Sequence, residues 1–585
     1  MATKQDVSGY LSYELKIGSQ LYKSSAPLIS LYTHFEVNKI PSATIYLIDG
    51  DPATKNFDLS SESFMNPGES VKISMGRKGK NKVIFSGIMV GHSIQFSNIR
   101  GTYLRIDCKH DSCKMITGRK IKYFEKKDDK AIITELFKVN GVTAPKIKGS
   151  FVKHDSFLQY DITDWDLMLT RCEANSKVVV FNTDEVNIED PKISGAPSAK
   201  FTFGMDIIEF ESEFNAQNQL SKVESHSWDS EKQKILSSIG KPSTFKQLEN
   251  KGVKSSDLSK KIAPKTYELF HGAEISKAEL DSWSHAQLTK ASLSKVQGRL
   301  RVTGNNDLMT GQVIEIDGVG EKFSGKVYIS AIKHSYDDQG WFTDIQFGLS
   351  NPWFIEKPNV NSMQAGGLVS AVHGLQIGKV LKIDGDDQHR VQLSLPIGGT
   401  KVKLWARLAF DDAGNERGVV FWPEKDDEVI VGFLNDDPRH PIILGSVYSK
   451  KNAPPIKPDP KNPEKGIITR SKVKFIINDK DKSVQIETPG GNSILIDDKK
   501  KIISVTDENK NSIKMQKKGI TIDSKGDITL NAAKNLNIKA KSKILIEGMD
   551  VTNKAKGKLV AQGAGGVHLK SNGIASIKGS VVKIN

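Results

Sequence analysis

The feature that most constrains this chain is a repeat of apolar pairs filling its last fifth. Apolar residues recur at i and i+2 as Phe475/Ile477, Val484/Ile486, Ile494/Ile496, Ile503/Val505, Ile513/Met515, Ile520/Ile522, Ile528/Leu530, Leu536/Ile538 and Ile544/Ile546. Successive pairs start 9, 10, 9, 10, 7, 8, 8 and 8 residues apart. The pattern continues more weakly through Val551, Leu559/Ala561, Val567/Leu569, Ala575/Ile577 and Val582/Ile584. Residues i and i+2 share one face of a strand, and Gly, Asn, Asp or Lys fill the turns between pairs. Each unit is too thin to bury its own pair, so stacking or association with other chains must close the core. A globular sandwich would need longer strands and more aromatic filler. The period predicts a β-helix or β-prism over 465–585; a single-chain solenoid and an intertwined three-chain prism both satisfy it.

Charge follows the same boundary. Residues 465–585 hold 24 Lys+Arg against 11 Asp+Glu, so this stretch carries +13 of the total +15. The excess is lysine: Arg470 is the one arginine of the region, out of 12 in the chain, and Phe475 is its one aromatic residue. Readers of bases and phosphates favour the arginine fork and aromatic stacking. No nucleic-acid partner is expected, and the lysines read as a solvated face that also discourages edge-to-edge aggregation.

A length of 585 residues allows three or four domains at ~150 residues each. Three cysteines, Cys108, Cys113 and Cys172, exclude a disulfide framework and suit a reducing compartment. The N-terminus has no apolar core of the signal-peptide kind, and no apolar run approaches the ~20 residues of a membrane helix. The expectation is a chain assembled in the cytoplasm.

Residues 375–448 read as short strands with tight turns, LQIGKVLKID, HRVQLSLPI, VKLWARLAF, GVVFWPEKDDEVIVGFL and HPIILGSVY, which fit an oligonucleotide/oligosaccharide-binding (OB) type barrel. The linker after it holds five prolines between Pro454 and Pro463 and predicts a semi-rigid extended spacer. Ahead of it, SATIYLID, SVKISMG, KVIFSGIMVGHSI and GTYLRIDCKH predict strands, ITELFKVNG and TDWDLMLTRCEAN predict helices, and KVVVFNTDEVNIEDP predicts a hairpin. A Lys- and Ser-rich stretch at 230–265 reads as a loop, 274–296 as a helix and 297–350 as further strands.

The barrel motifs carry a resemblance. Gly378-Lys379-Val380, Trp405-Ala406-Arg407, Phe421-Trp422-Pro423-Glu424, Asp427–Phe433, Asp436–Pro441 and Leu444–Tyr448, in that order, resemble the OB domain of the VgrG family of contractile-injection spike proteins. Gln159–Asn175, Ala278–Leu288 and Gly318, Phe323, Gly325, His334 and Trp341 extend the resemblance toward the N-terminus. The family residues of the barrel are Trp405, Pro423, Glu428, Gly432, Pro438, Pro441 and Gly445, with Trp405 and Trp422 at family core positions.

The resemblance implies a mainly β protein. A phage-hub-like region at 1–365 would hold β domains at about 1–110 and 200–350, with a mixed α/β segment between. An OB-fold domain at 370–450 and a Pro-rich linker at 451–464 would lead to a triple-stranded β-helix needle at 465–585. It also resolves the repeat toward the three-chain form. The expected interior of that trimer is Ile520, Ile522, Ile528, Leu530, Leu536, Ile538, Ile544 and Ile546. The function implied is a structural, non-enzymatic spike that joins an inner tube to a piercing needle and aids effector translocation. Its expected partners are two further copies of itself, a hexameric tube protein, baseplate proteins, a PAAR-like tip protein and effector cargo, with the target membrane met on piercing. The particle would be ejected or released from the producing cell. A type VI system, an extracellular injection particle and a phage-like tail all fit.

The alternative is an envelope-degrading, tail-associated hydrolase, and a third class is a saccharide- or nucleic-acid-binding barrel. Asp426, Asp427, Glu428, Asp436 and Asp437 offer carboxylates for glycosidase chemistry, but they lie at family positions without a catalytic role. No GxSxG, HExxH, Walker A or GxGxxG element is present. Cys108, His110 and Cys113 offer soft ligands, yet zinc needs a fourth, and ordinary packing is the better reading. No cofactor, metal or catalytic residue is expected.

Overall fold

The computed structural model describes residues 9–584 apart from 24–26, 98–100, 184, 230, 249–253, 263, 273, 358–359, 361–363 and 398–399. Alternation builds most of it. Ser42–Ile48 buries Ala43, Ile45 and Leu47, Ser70–Arg77 buries Val71, Ile73 and Met75, and Gly101–Lys109 buries Leu104, Ile106 and Cys108. Every second side chain faces the core, as a period of two requires.

These strands belong to a sheet of thirteen strands among the described residues. Its first arm includes Leu28–Glu36, Ser42–Ile48, Gly101–Lys109, Lys80–Ser97 and Ser70–Arg77; its second includes Gly325–Asp337, Gly340–Phe347, Val296–Thr303 and Ile207–Phe214. The stretches expected as two β domains are thus joined edge to edge. Gly325–Asp337 runs antiparallel to Leu28–Glu36, from Ala331 opposite Glu36 to Tyr336 opposite Leu31. Each arm keeps a core of its own, one around Ile45, Phe85 and Phe137, the other around Val296, Ile314 and Phe347.

The three expected helices form as well. Asp129–Val139 starts where the Asp128 carboxylate accepts from the Ala131 N–H at 2.8 Å. Asp164–Ala174 starts on Thr163, whose hydroxyl oxygen accepts from the Asp166 N–H at 3.1 Å and donates to the Asp166 carboxylate at 2.7 Å. Such caps satisfy the orphan N–H groups of a first turn. Lys277–Leu293 starts on Ser276 in the same way.

The 230–265 stretch is not a loop throughout. It contains the strand Lys234–Ile239 and the helix Ser255–Ile262. The strand pairs with Val223–Asp229 and turns Ser238 inward, while Ser225 donates to the Leu280 carbonyl at 2.9 Å. Small hydroxyl side chains let this sheet lie close to a helix, and they made the segment look like a linker.

Gln376–Lys382, Val391–Ile397, Thr400–Leu408, Pro441–Ser446 and Glu428–Phe433 form a closed five-stranded barrel. Its interior is aliphatic: Val380, Val391, Leu393, Leu395, Ala406, Val429, Val431 and Ile443. Most of the chain up to Gly445 forms one compact unit, and Ser446–Asn585 with Asp426–Glu428 forms another. In the second unit, seven five-residue strands from Glu464–Ile468 to Gly519–Asp523 form an antiparallel meander in which each strand pairs with the next. Residues 524–584 form no strand within this single chain. The repeat is therefore not a self-contained coil.

Candidate functional site

The meander sets the first six predicted pairs, Phe475/Ile477 to Ile520/Ile522, on one face. Phe475 lies opposite Ile486, Ile486 opposite Ile494, Ile494 opposite Val505, Val505 opposite Ile513 and Ile513 opposite Ile522. Beside this row runs a second, Ile477, Val484, Ile496, Ile503, Met515 and Ile520. Two apolar columns thus run from the second strand of the sheet to its last, with every side chain but that of Val484 exposed. The opposite face carries Ile476, Gln485, Leu495, Ser504, Lys514 and Thr521, a mixed set.

The eight expected interior residues lie at the end of the meander and beyond it. Their fractional exposure runs from 50% at Ile544 to 69% at Ile520 and Ile546.

In the barrel, the family residues differ in burial. Pro423, Gly432 and Pro441 are buried, while Glu428, Pro438, Gly445 and Trp405 are half-buried. The core placement of the tryptophans is corrected. Strand alternation turns Ala406 inward and Trp405 outward, and Trp422 is exposed, meeting Phe410 edge-on at 5.3 Å.

The carboxylates weighed for catalysis include one that is visibly committed. Asp437 takes the Arg439 guanidinium in a two-pronged bond, with Nε at 2.9 Å from Oδ1 and the terminal nitrogen at 2.6 Å from Oδ2, and also the Arg439 N–H at 2.9 Å. These bonds hold its pKa down to about 2. A carboxyl so held cannot serve as a proton donor near neutral pH. Asp386 is held at about 2 in the same way by Arg390.

The cysteine segment is packing. Cys108 is buried at the end of its strand and burial pushes its thiol far up. His110 uses Nδ1 to accept from the Ser112 N–H at 3.1 Å, capping the turn Asp111–Ile116. Cys172 is buried with its Sγ 3.6 Å from the Met168 sulfur. Among the described residues no group of three His, Cys, Asp or Glu side chains is placed to hold a metal.

One cluster was not anticipated. Asp129 is wholly buried and receives Arg171 Nε at 2.9 Å, a terminal Arg171 nitrogen at 3.1 Å and Asn175 Nδ2 at 2.7 Å, with His154 Nε2 at 3.0 Å. Burial pushes its pKa up, but the His154, Arg171 and Asn175 interactions together win and hold it below the usual carboxylate range. Arg171 also reaches Glu279 at 3.1 Å, tying the two helices together. An arginine inside the apolar sequence LMLTRCEA was the available signal. Arg171 and Glu279 line a cleft of about 810 Å³ together with Phe157, Tyr160, Trp283 and Trp353. With every Asp129 oxygen engaged, the cluster's visible work is to hold the helices.

Residues 8–338 match the family model of the Alg8 N-terminal domain, and residues 376–448 match that of the type VI secretion system/phage-baseplate injector OB domain. The chain belongs to the Alg8 N-terminal domain family, and its barrel is similar to the injector OB domain of type VI secretion systems and phage baseplates. The type VI secretion system spike protein VgrG3 of Vibrio cholerae is 36% identical over 104 residues, 17% of this chain and 10% of that protein. The actin cross-linking toxin VgrG1 of the same species is 36% identical over 94 residues, 14% of this chain and 9% of that one. The matches thus span about a tenth of each curated relative. Among solved structures, the Francisella PdpA–VgrG complex is 10% identical with a TM-score of 0.40, covering 88% of this chain and 80% of that one. The E. coli type VI secretion component c3393 is 11% identical with a TM-score of 0.39, covering 74% and 99%. No helix among the described residues is long and apolar enough to cross a membrane.

Proposed function

We propose that this chain is the structural spike of a contractile injection system and works as a homotrimer whose needle is a triple-stranded β-helix, closed by the two apolar columns and by the exposed pairs that continue them. The observation that carries the reading is the uncovered apolar face at Phe475–Ile522, continued by exposed pairs through Ile546. Past Asp523 the single chain pairs none of its backbone in strands, so neighbouring chains would supply both the ladder and the cover. Folding of this region would be coupled to assembly. The hub of about 1–365 would seat on a hexameric inner tube within a baseplate, the barrel would join it to the needle, and a PAAR-like tip protein would cap it. Contraction would drive the needle through a target envelope and carry effector cargo with it. The action is mechanical and assigns no turnover to the chain.

The test is light scattering of the full-length protein with two substitutions. Ile528→Asp would set three carboxylates together in a dry interior, where unpaired charge is very unfavourable, and should abolish the trimer. Lys534→Asp, at the exposed bend between the pairs Ile528/Leu530 and Leu536/Ile538, should leave it intact. A folded monomer in the unmodified protein, or equal tolerance of both changes, refutes the reading.

A further inference from the structure

The lysine excess has a finer pattern than its total suggests. Lys539, Lys541 and Lys543 form one alternating triad, and Lys554, Lys556 and Lys558 repeat it 15 residues later. All six side chains are exposed. Each triad lies across a bend between apolar residues, at Lys541–Ser542 and at Lys556–Gly557, so its lysines crowd within roughly 7 Å of one another from one to the next along the backbone. The residues between the lysines, Ala540, Ser542, Ala555 and Gly557, are small and leave the ammonium groups clear.

The pairing of these lysines also differs from that of lysines in the meander. There, Lys465 pairs with Asp479, Lys474 with Glu487, Lys499 with Asp481 and Lys500 with Asp497. Past Lys525, no lysine among the described residues meets a carboxylate within ion-pair distance. Residues 524–585 hold eleven lysines and three carboxylates, Asp527, Glu547 and Asp550.

We infer that the two triads are a docking surface for the phosphate headgroups of an anionic lipid bilayer. Their spacing is shorter than the ~8 Å screening length of physiological salt, so each triad acts as one block of charge. Lysine supplies point charges that suit a mobile, disordered field of headgroups, whereas arginine forks suit fixed base edges. The stretch beyond Phe475 contains no Phe, Tyr or Trp on which a base could stack. Both features favour a lipid surface over a nucleic acid. The inference rests on the needle reading, in which a trimer would present the set three times around its axis.

Full-length protein would be sedimented with phosphatidylcholine vesicles, with and without phosphatidylglycerol, over a range of salt. Binding should require the anionic lipid and fall steeply as salt rises. Each lysine near an anionic leaflet is worth about a fivefold gain in partitioning. Replacing all six by glutamine should therefore lose at least roughly a hundredfold, while replacing all six by arginine should retain binding. Lys465→Gln with Lys499→Gln, in the paired meander, should change it little. Equal binding to neutral and anionic vesicles, full binding by the glutamine variant, or preferential capture by duplex DNA at equal phosphate overturns the inference. Light scattering on the same samples separates the two readings. Lipid binding by a monomer refutes the trimer and leaves this surface standing, whereas an intact trimer without anionic binding does the reverse.

Discussion

Acidification should loosen the hub sheet through one histidine. His334 is 3% exposed in the strand Gly325–Asp337, with Nδ1 3.0 Å from the Thr343 hydroxyl and its ring 5.9 Å from that of Trp341. Burial pushes its pKa from the ordinary 6.5 down to about 4, with Asp344 pulling weakly the other way. Between those values the unfolded chain binds a proton that the folded chain refuses. Stability therefore rises with pH across the window and is lost as pH falls through it. Relative to neutral pH, the loss is about 2 kcal/mol at pH 5 and about 3 kcal/mol at pH 4. The assay is urea unfolding followed by tryptophan fluorescence at several pH values, for the native protein and for His334→Gln. Carboxylates titrating elsewhere contribute to both and cancel in the difference. The native curve should fall away from that of the variant below about pH 6.5. Parallel curves from pH 7 to pH 4 would show that His334 takes up its proton as freely folded as unfolded, and the argument from burial would be wrong.

Gly304→Ala should destabilise the same region by about 1–3 kcal/mol in a thermal melt, because the added Cβ would lie 2.0 Å from Trp341 Cδ2 in a ring that is itself buried. Arg171→Ala leaves the Asp129 carboxylate buried without its guanidinium, a loss of about 3–5 kcal/mol readable by chemical denaturation, whereas Asp128→Ala, removing the cap beside it, should lose only about 1 kcal/mol. Asp437→Ala should lower the melting temperature of the barrel. The Asp437 contribution in the native protein, present above the usual carboxylate pKa, should be lost as pH falls from about 4 toward the pKa of about 2. A melting temperature of the native barrel that ignores this pH range would show the Arg439 clamp to be idle.

What the sequence determined by itself is what repeats locally. The i, i+2 period required strands with one apolar face, and the meander sets those residues in two columns because side-chain alternation is a property of extended backbone alone. The helices at Asp129–Val139, Asp164–Ala174 and Lys277–Leu293 were legible for the same reason, since caps and apolar spacing are short-range. The barrel was legible through its ordered motifs, but the orientation of its tryptophans was not: a residue's face depends on strand register, and one position separates buried Ala406 from half-buried Trp405.

The tertiary structure alone decided which distant pieces meet. The joining of Gly325–Asp337 to Leu28–Glu36 links residues some three hundred positions apart. Nothing in either strand names its neighbour, because backbone hydrogen bonds are the same for every sequence. The Asp129 cluster draws Arg171 and Asn175 from one helix, Glu279 from another and His154 from a strand. Each is an ordinary polar residue until folding removes the water around it. The strand Lys234–Ile239 made the same point in reverse: its serines looked like linker until a helix lay against them, because a small hydroxyl suits solvent and a tight hydrogen-bonded contact equally well.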